Sequence, residues 1–157
     1  MRAVALTPAL LADVFARRRA IDAREYAALA PSGSEAGHAE ALASVSRYGA
    51  VILDGNGTPS AAIAVAPAHT PRGWFLMLCA TDAWPDVWRA TYRWVRAVLE
   101  PALAADPDVQ RVSALVSADN PPAQRFMEAF GFKAEGVHEC VGADGSDWIT
   151  YARVKRA

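Results

Sequence analysis

Asn120-Pro-Pro-Ala-Gln-Arg-Phe-Met-Glu-Ala-Phe-Gly-Phe132 holds both ends of one short helix. Asparagine is a favoured N-cap, because its side-chain oxygen accepts an N–H that the first turn leaves without a partner. Proline at the first helical position gives up an N–H that has no helical acceptor anyway. Gly131 suits the left-handed residue that ends a helix, and Phe132 then packs the helix end back on an apolar surface.

Outward from this helix the periodicity alternates. Residues 109–116 read as a strand leading into it, and residues 133–141 and 148–154 as a closing pair of strands joined through Gly142-Ala-Asp-Gly-Ser146. Upstream, residues 86–105 are the longest helical candidate, with Val87, Ala90, Trp94, Ala97 and Val98 spaced to share one face. The stretch GWFLMLCA, from Gly73 to Ala80, is continuously apolar, as expected of a strand covered on both faces. Two more apolar runs, 50–53 and 60–66, flank Asp54-Gly-Asn-Gly57, a strong hairpin signal. Residues 35–48 read as a helix with Leu42 and Val45 inward and Gly49 as its stop, set off by the loop Pro31-Ser-Gly-Ser34. A shorter helix over 22–29 turns Tyr26 and Leu29 to one side. Thr7-Pro8 opens a helix carrying Leu10, Leu11, Val14 and Phe15, after a first strand over 3–6. The order is β-α-α-α-β-β-β-α-β-α-β-β, which predicts an α/β mixed sheet with helices on both faces. Right-handed crossover makes the strands on either side of 86–105 parallel.

A chain of 157 residues with 53% hydrophobic and 21% charged residues supports one domain over 1–157 with its own core. The net charge of −1 and the scattered basic residues argue against a protein built to coat nucleic acid. The basic residues Arg17, Arg18 and Arg19 follow the first apolar stretch, the wrong polarity for a signal peptide, and no apolar run approaches a membrane span of roughly 20 residues. A cytoplasmic protein with no membrane partner is expected. Cys79 and Cys140 lack metal-like spacing, and Cys79 sits in an apolar run, so two reduced thiols are expected.

The 120–132 segment resembles the closing motif of the GNAT (Gcn5-related N-acetyltransferase) family, in which an asparagine after the fifth strand precedes a helix ending in Gly-Phe. Glu135-Gly136-Val137 and Asp144-Gly-Ser-Asp-Trp-Ile-Thr-Tyr151 look like the family's last hairpin. The match covers roughly the last fifty residues and rests on element order before that. The resemblance implies a GNAT-like, mostly antiparallel sheet, acetyl-CoA as donor and an amine as acceptor. It also implies that Asn120 contacts the pantetheine arm; the residue's own chemistry equally fits a plain N-cap.

Two departures put that chemistry in question. The family holds pyrophosphate on a glycine-rich loop before the long helix, where backbone N–H groups converge on the anion. Here residues 80–88 read Ala-Thr-Asp-Ala-Trp-Pro-Asp-Val-Trp, without glycine, and Pro85 has no N–H. Asp82 or Asp86 is expected to cap the helix and to repel an anion there. The family's general-acid tyrosine falls four residues before Gly131, where this chain has Met127, which cannot donate a proton. No other residue stands out as catalytic.

Arg17-Arg-Arg-Ala-Ile-Asp-Ala-Arg-Glu25 is similar to a helical segment of phage-encoded GNAT-like proteins, some of them virion components, in which Arg19, Asp22 and Glu25 would be the matching residues. An ordinary salt-bridged helix surface explains the same run. Arg89, Arg93 and Arg96 form a stripe best read as a solvated face. Trp74, Trp84, Trp88, Tyr92 and Trp94 serve either packing or an interface, and Trp84 beside Pro85 is the hardest to assign to the core. His38, His69 and His138 are isolated, and no metal site is expected. Two functions remain: an acetyl-CoA-dependent N-acetyltransferase with a degenerate pyrophosphate loop, or a non-catalytic GNAT-like scaffold with a protein partner, virion proteins among the candidates.

Overall fold

A computed structural model of the chain describes residues 1–29 and 34–155. It contains one seven-stranded sheet in the order β1-β2-β3-β4-β5-β7-β6. The strands are β1 (Arg2–Ala5), β2 (Tyr48–Leu53), β3 (Pro59–Pro67), β4 (Gly73–Ala80), β5 (Arg111–Ser117), β6 (Lys133–His138) and β7 (Trp148–Val154). Every neighbouring pair is antiparallel except β4 and β5, which run parallel as the crossover rule requires.

Helices α1 (Pro8–Ala16), α2 (Ala20–Leu29) and α3 (Glu35–Val45) precede β2. Leu11, Val14 and Phe15 of α1 and Ala39 of α3 pack with Val51, Ala62 and Cys79 on one face of the sheet. On the other face lie α4 (Trp84–Trp94), a π-helical turn (Val95–Leu99), α5 (Glu100–Ala105) and α6 (Pro121–Ala129). There Val95, Leu99, Met127, Phe130 and Phe132 pack with Ile63, Leu76, Val112 and Tyr151. The mixed, mostly antiparallel sheet flanked by helices on both faces is therefore the architecture that the sequence predicts.

The long helix departs from expectation in its inner face. Val87, Thr91, Val95 and Leu99 are buried, whereas Val98 is 50% exposed and Ala97 is also exposed. Thr91, which an apolar pattern passes over, is buried with its hydroxyl donating to Val87 O, and Pro101 accounts for the turn that follows. Proline has no N–H, and its ring crowds the carbonyl four residues back, so the preceding turn widens. The Glu100 N–H reaches Val95 O, the π spacing, and this larger turn keeps residues four apart on one face. Helix α3 stops at Val45, which is exposed, with Ser46 as C-cap. Gly49 is no helix stop but a β2 residue, where an added Cβ would lie 2.8 Å from Ile63 O. The loop expected at Pro31-Ser32-Gly33 lies outside the described residues, while Ser34 caps α3 through the Gly37 N–H.

The end of α6 follows the sequence closely. Asn120 Oδ1 accepts the Ala123 N–H at 3.2 Å. Gly131 takes φ +73°, the Gly131 N–H reaches Glu128 O and the Phe132 N–H reaches Met127 O, a Schellman pair. A Cβ at Gly131 meets no atom, so Gly131→Ala isolates the backbone cost of the left-handed conformation. Thermal unfolding of that variant is expected to show a loss of about 1 kcal/mol, a fall in Tm of about 2–4 °C.

Candidate functional site

Parallel β4 and β5 separate soon after they begin. Gly73, Trp74 and Phe75 pair with Arg111, Val112 and Ser113, and among the described residues the ladder goes no further. Beyond it, the facing edges of Leu76–Cys79 and Ala114–Val116 diverge. Edge N–H and C=O groups need partners, so a split strand pair is a ready site for an extended ligand. A cavity of about 670 Å3 occupies the split, lined by Phe75 to Cys79, Ala114 to Val116, and Phe126 and Met127 of α6.

Helix α2 lies across the open end and holds both strands with side chains three residues apart. Asp22 Oδ2 accepts the Ala80 N–H of β4 at 2.7 Å and pairs with Arg19 Nε at 2.9 Å. Glu25 Oε1 accepts the Ser117 N–H of β5 at 3.2 Å and an Asn120 Nδ2–H at 2.9 Å. The Arg19 N–H further donates to Ala80 O at 2.9 Å. The run Arg19, Asp22, Glu25 is thus no solvated surface, since Asp22 is only 6% exposed. Burial raises the Glu25 carboxyl above the ordinary glutamate range, against the lowering pull of its two hydrogen bonds. Asp22 adds to that rise and Arg19 opposes it.

The same cavity is walled by Tyr26 and His38, which lie on α2 and α3 and hydrogen-bond through Tyr26 Oη and His38 Nδ1. The Arg18 guanidinium stacks over the Tyr26 ring at 4.5 Å and ion-pairs with Glu35. Burial raises the Tyr26 hydroxyl, which stays protonated. Burial also pushes the Cys79 thiol up to about 12, so it stays neutral and serves as an apolar lining group.

The backbone donors at the start of α4 already have acceptors within the chain. Its N-cap is Ala83, and among the described residues no side chain caps it. The expectation that Asp82 or Asp86 caps this helix is therefore wrong. Thr81 does the work instead: its Oγ1 accepts the Ala83 N–H at 3.3 Å and its carbonyl accepts the Trp84 N–H at 2.9 Å. Ala83 O takes the N–H groups of Asp86 and Val87, and Pro85 has none. The first-turn donors that bind anions at other helix starts point at protein acceptors here. Asp82 and Asp86 are exposed on either side of this terminus.

Trp84 closes the helix side of the split. Its ring meets Phe126 edge-on at 5.7 Å, with Arg19 stacked at 5.4 Å, so residues following β4 and β5 touch across the gap. Phe126 continues to Phe130 and Tyr92, at ring separations of 4.6 and 4.9 Å. Trp84→Ala is expected to destabilise the fold by about 2 kcal/mol, less than a fully buried tryptophan would, as read by denaturant unfolding.

The arginine stripe and the other two histidines fall outside the cleft. Arg89, Arg93 and Arg96 are exposed, Arg96 pairing with Glu100 at 2.7 Å and Arg89 stacking over Trp88. His69 is exposed and His138 hydrogen-bonds Thr150 Oγ1 at the surface. Cys79 and Cys140 are both free, the first buried and the second exposed. Among the described residues, no group of three or more His, Cys, Asp or Glu side chains could hold a metal. No helix among them is long and apolar enough to cross a membrane. Met127 lies in the cleft wall, where the family resemblance calls for a tyrosine. Spacing could not have revealed the Tyr26–His38 pair, whose members come from different helices.

No protein-family model matches the chain, and no curated protein sequence matches it. Its fold is shared with solved acetyltransferases. The chain is similar to the ribosomal-protein-alanine N-acetyltransferase from Brucella melitensis at 14% identity and TM-score 0.69, over 99% of this chain and 100% of that one. It is also similar to the ribosomal-protein-S18-alanine N-acetyltransferase from Escherichia coli at 22% identity and TM-score 0.64, over 99% and 95%. A GNAT-family acetyltransferase from Bacillus anthracis aligns at 13% identity and TM-score 0.59, over 94% and 88%. The seven-stranded, mostly antiparallel sheet with helices on both faces is a GNAT-like fold.

Proposed function

We propose that the protein is a GNAT-fold N-acyltransferase that takes acetyl-CoA as donor and an amine as acceptor, with the donor's pantetheine arm in the β4–β5 split. The observation that carries this reading is the split itself: two strand edges without ladder partners face an apolar cavity with the Glu25 carboxylate in its wall. The donor supplies the acyl group as a thioester. A C–N bond forms at the thioester carbonyl as the C–S bond breaks, and the thiol product takes up the proton that this chain, having oriented the amine, removes from it. Glu25 is the general base, held by Ser117 and Asn120 and raised towards the working range by burial. The proposed role of Asn120 beside the pantetheine arm is then a positioning one, since its Nδ2–H already holds Glu25. Structural neighbours that act on alanine amines of ribosomal proteins make a protein N-terminus a reasonable acceptor to try first.

The α4 terminus favours a second reading. Its N–H groups are occupied and Trp84 packs on Phe126, which supports reading this terminus as a lost nucleotide grip. A GNAT-like scaffold without catalysis, such as a phage virion or host-interaction protein, is consistent with that loss. Calorimetry with acetyl-CoA, coupled to an acetyl-transfer assay on N-terminal alanine peptides, separates the two. Saturable binding with transfer supports the enzyme. No binding at millimolar acetyl-CoA sinks it and directs the search to protein partners.

A further inference from the structure

A second cavity, of about 240 Å3, lies between the sheet and the helix rod that runs from α4 through the π turn to α5. Val95, Leu99 and Leu103 form its roof, and Val109 and Val112 part of its floor. It is continuous in lining with the cleft: Leu76, Leu78, Phe126 and Met127 border both spaces. None of these four side chains carries a hydrogen-bond donor, and Met127 offers only a weakly accepting thioether. On β4, side chains alternate across the sheet, so Leu76 and Leu78 face the helix rod while Met77 and Cys79 face α1. Leu76, Leu78, Phe126 and Met127 are the wall that the two spaces share, so a chain passing from the split to the second cavity would displace only flexible apolar groups and meet no polar group to desolvate.

An acetyl group has one methyl to bury and would leave nearly all of this space unfilled. The lining is mostly apolar but also includes Glu100, Arg111, Arg153 and Lys155, so the cavity is an open groove whose apolar walls gain by covering a hydrocarbon chain. The α4 terminus meanwhile offers a donor no anionic grip, so binding free energy must come from apolar contact. The π turn imposed by Pro101 contributes to the same end, because it keeps both Val95 and Leu99 directed at the cavity.

We propose that the second cavity receives a linear, medium-chain acyl group whose thioester lies in the β4–β5 split. This inference rests on the acyltransferase reading for the position of the thioester, and it widens the donor from acetyl to longer acyl groups. Nothing about the acceptor changes.

The test is calorimetric binding of acetyl-, butanoyl-, hexanoyl- and octanoyl-pantetheine, with acetyl-CoA alongside. Affinity is expected to rise by roughly fourfold per methylene until the smaller cavity is full, the factor that burying one methylene provides. Leu103→Trp narrows the far wall. It should cost octanoyl-pantetheine at least tenfold in affinity and leave acetyl-pantetheine unchanged. Ala104→Phe, at an exposed position on the same wall, serves if Leu103→Trp does not fold. A flat series with measurable acetyl-CoA binding overturns the medium-chain inference and leaves the acetyltransferase reading standing. A rise that neither wall variant blunts overturns it too, because the chain would then lie elsewhere. If no thioester binds, both readings fall.

Discussion

Asp22→Ala lowers the thermal midpoint of this protein by about 6–12 °C, the equivalent of about 3 kcal/mol for a chain of this size. The carboxylate is 6% exposed and does two things at once. It accepts the Ala80 N–H at the end of β4 and neutralises Arg19, itself largely covered. Alanine leaves a buried N–H without an acceptor and a buried guanidinium without its counter-ion, the two costliest ways to damage a polar site. Asp22→Asn keeps an acceptor for Ala80 and loses only the charge, so about half of the loss is expected. Hydrogen exchange at the Ala80 amide gives a local readout: protection falls sharply in Asp22→Ala and little in Asp22→Asn. Equal protection in all three proteins would mean that α2 does not hold β4.

Glu25→Gln removes the proposed base and keeps the shape of the site. Glutamine can still accept from Ser117 and from Asn120, so the hold on β5 survives. An expected fall in kcat/KM of about a hundredfold to ten-thousandfold, with Tm nearly unchanged, would assign the residue to proton transfer. The pH profile gives the sharper check. Activity of the wild type should rise with pH through the raised Glu25 value, because only the carboxylate can accept the proton. Glu25→Gln should lose that limb. Arg19 and Asp22 are the charged groups beside it, with opposing effects, so the limb should also move in Asp22→Asn.

Stability should respond in the opposite sense. A carboxyl whose folded-state value is raised binds more protons folded than unfolded over the interval between the two values. Its contribution is therefore fully present below about pH 4.3, the unfolded value, and is lost as pH rises through the raised folded value. Wild type minus Glu25→Gln should show that decline, followed by a plateau. A difference that does not vary with pH would mean Glu25 is not buried as described.

The local chemistry of α6 was legible because its signals are all contained within it. Asn120, Pro121 and Gly131 act on backbone groups a few residues away, and the structure uses each as the residue types predict. The Asp54–Gly57 hairpin was legible for the same reason. The long helix was less so. Its inner face was misplaced first at Thr91, a buried polar residue that an apolar pattern passes over, and then through the wider turn before Pro101.

Element order, the parallel β4–β5 crossover, the cap and stop of α6 and the lack of glycine ahead of α4 could all be read from the residues alone. That Thr81, not Asp82 or Asp86, closes the start of α4 emerges only in the folded chain. The same holds for Arg19, Asp22 and Glu25, which bridge two strands and do not face solvent, and for Tyr26 meeting His38. The physical reason is the range of the interactions. Caps and turns act over three or four residues and leave a local spacing, whereas Glu25 and Ser117 are brought together by sheet order and helix packing, which no window of residues records.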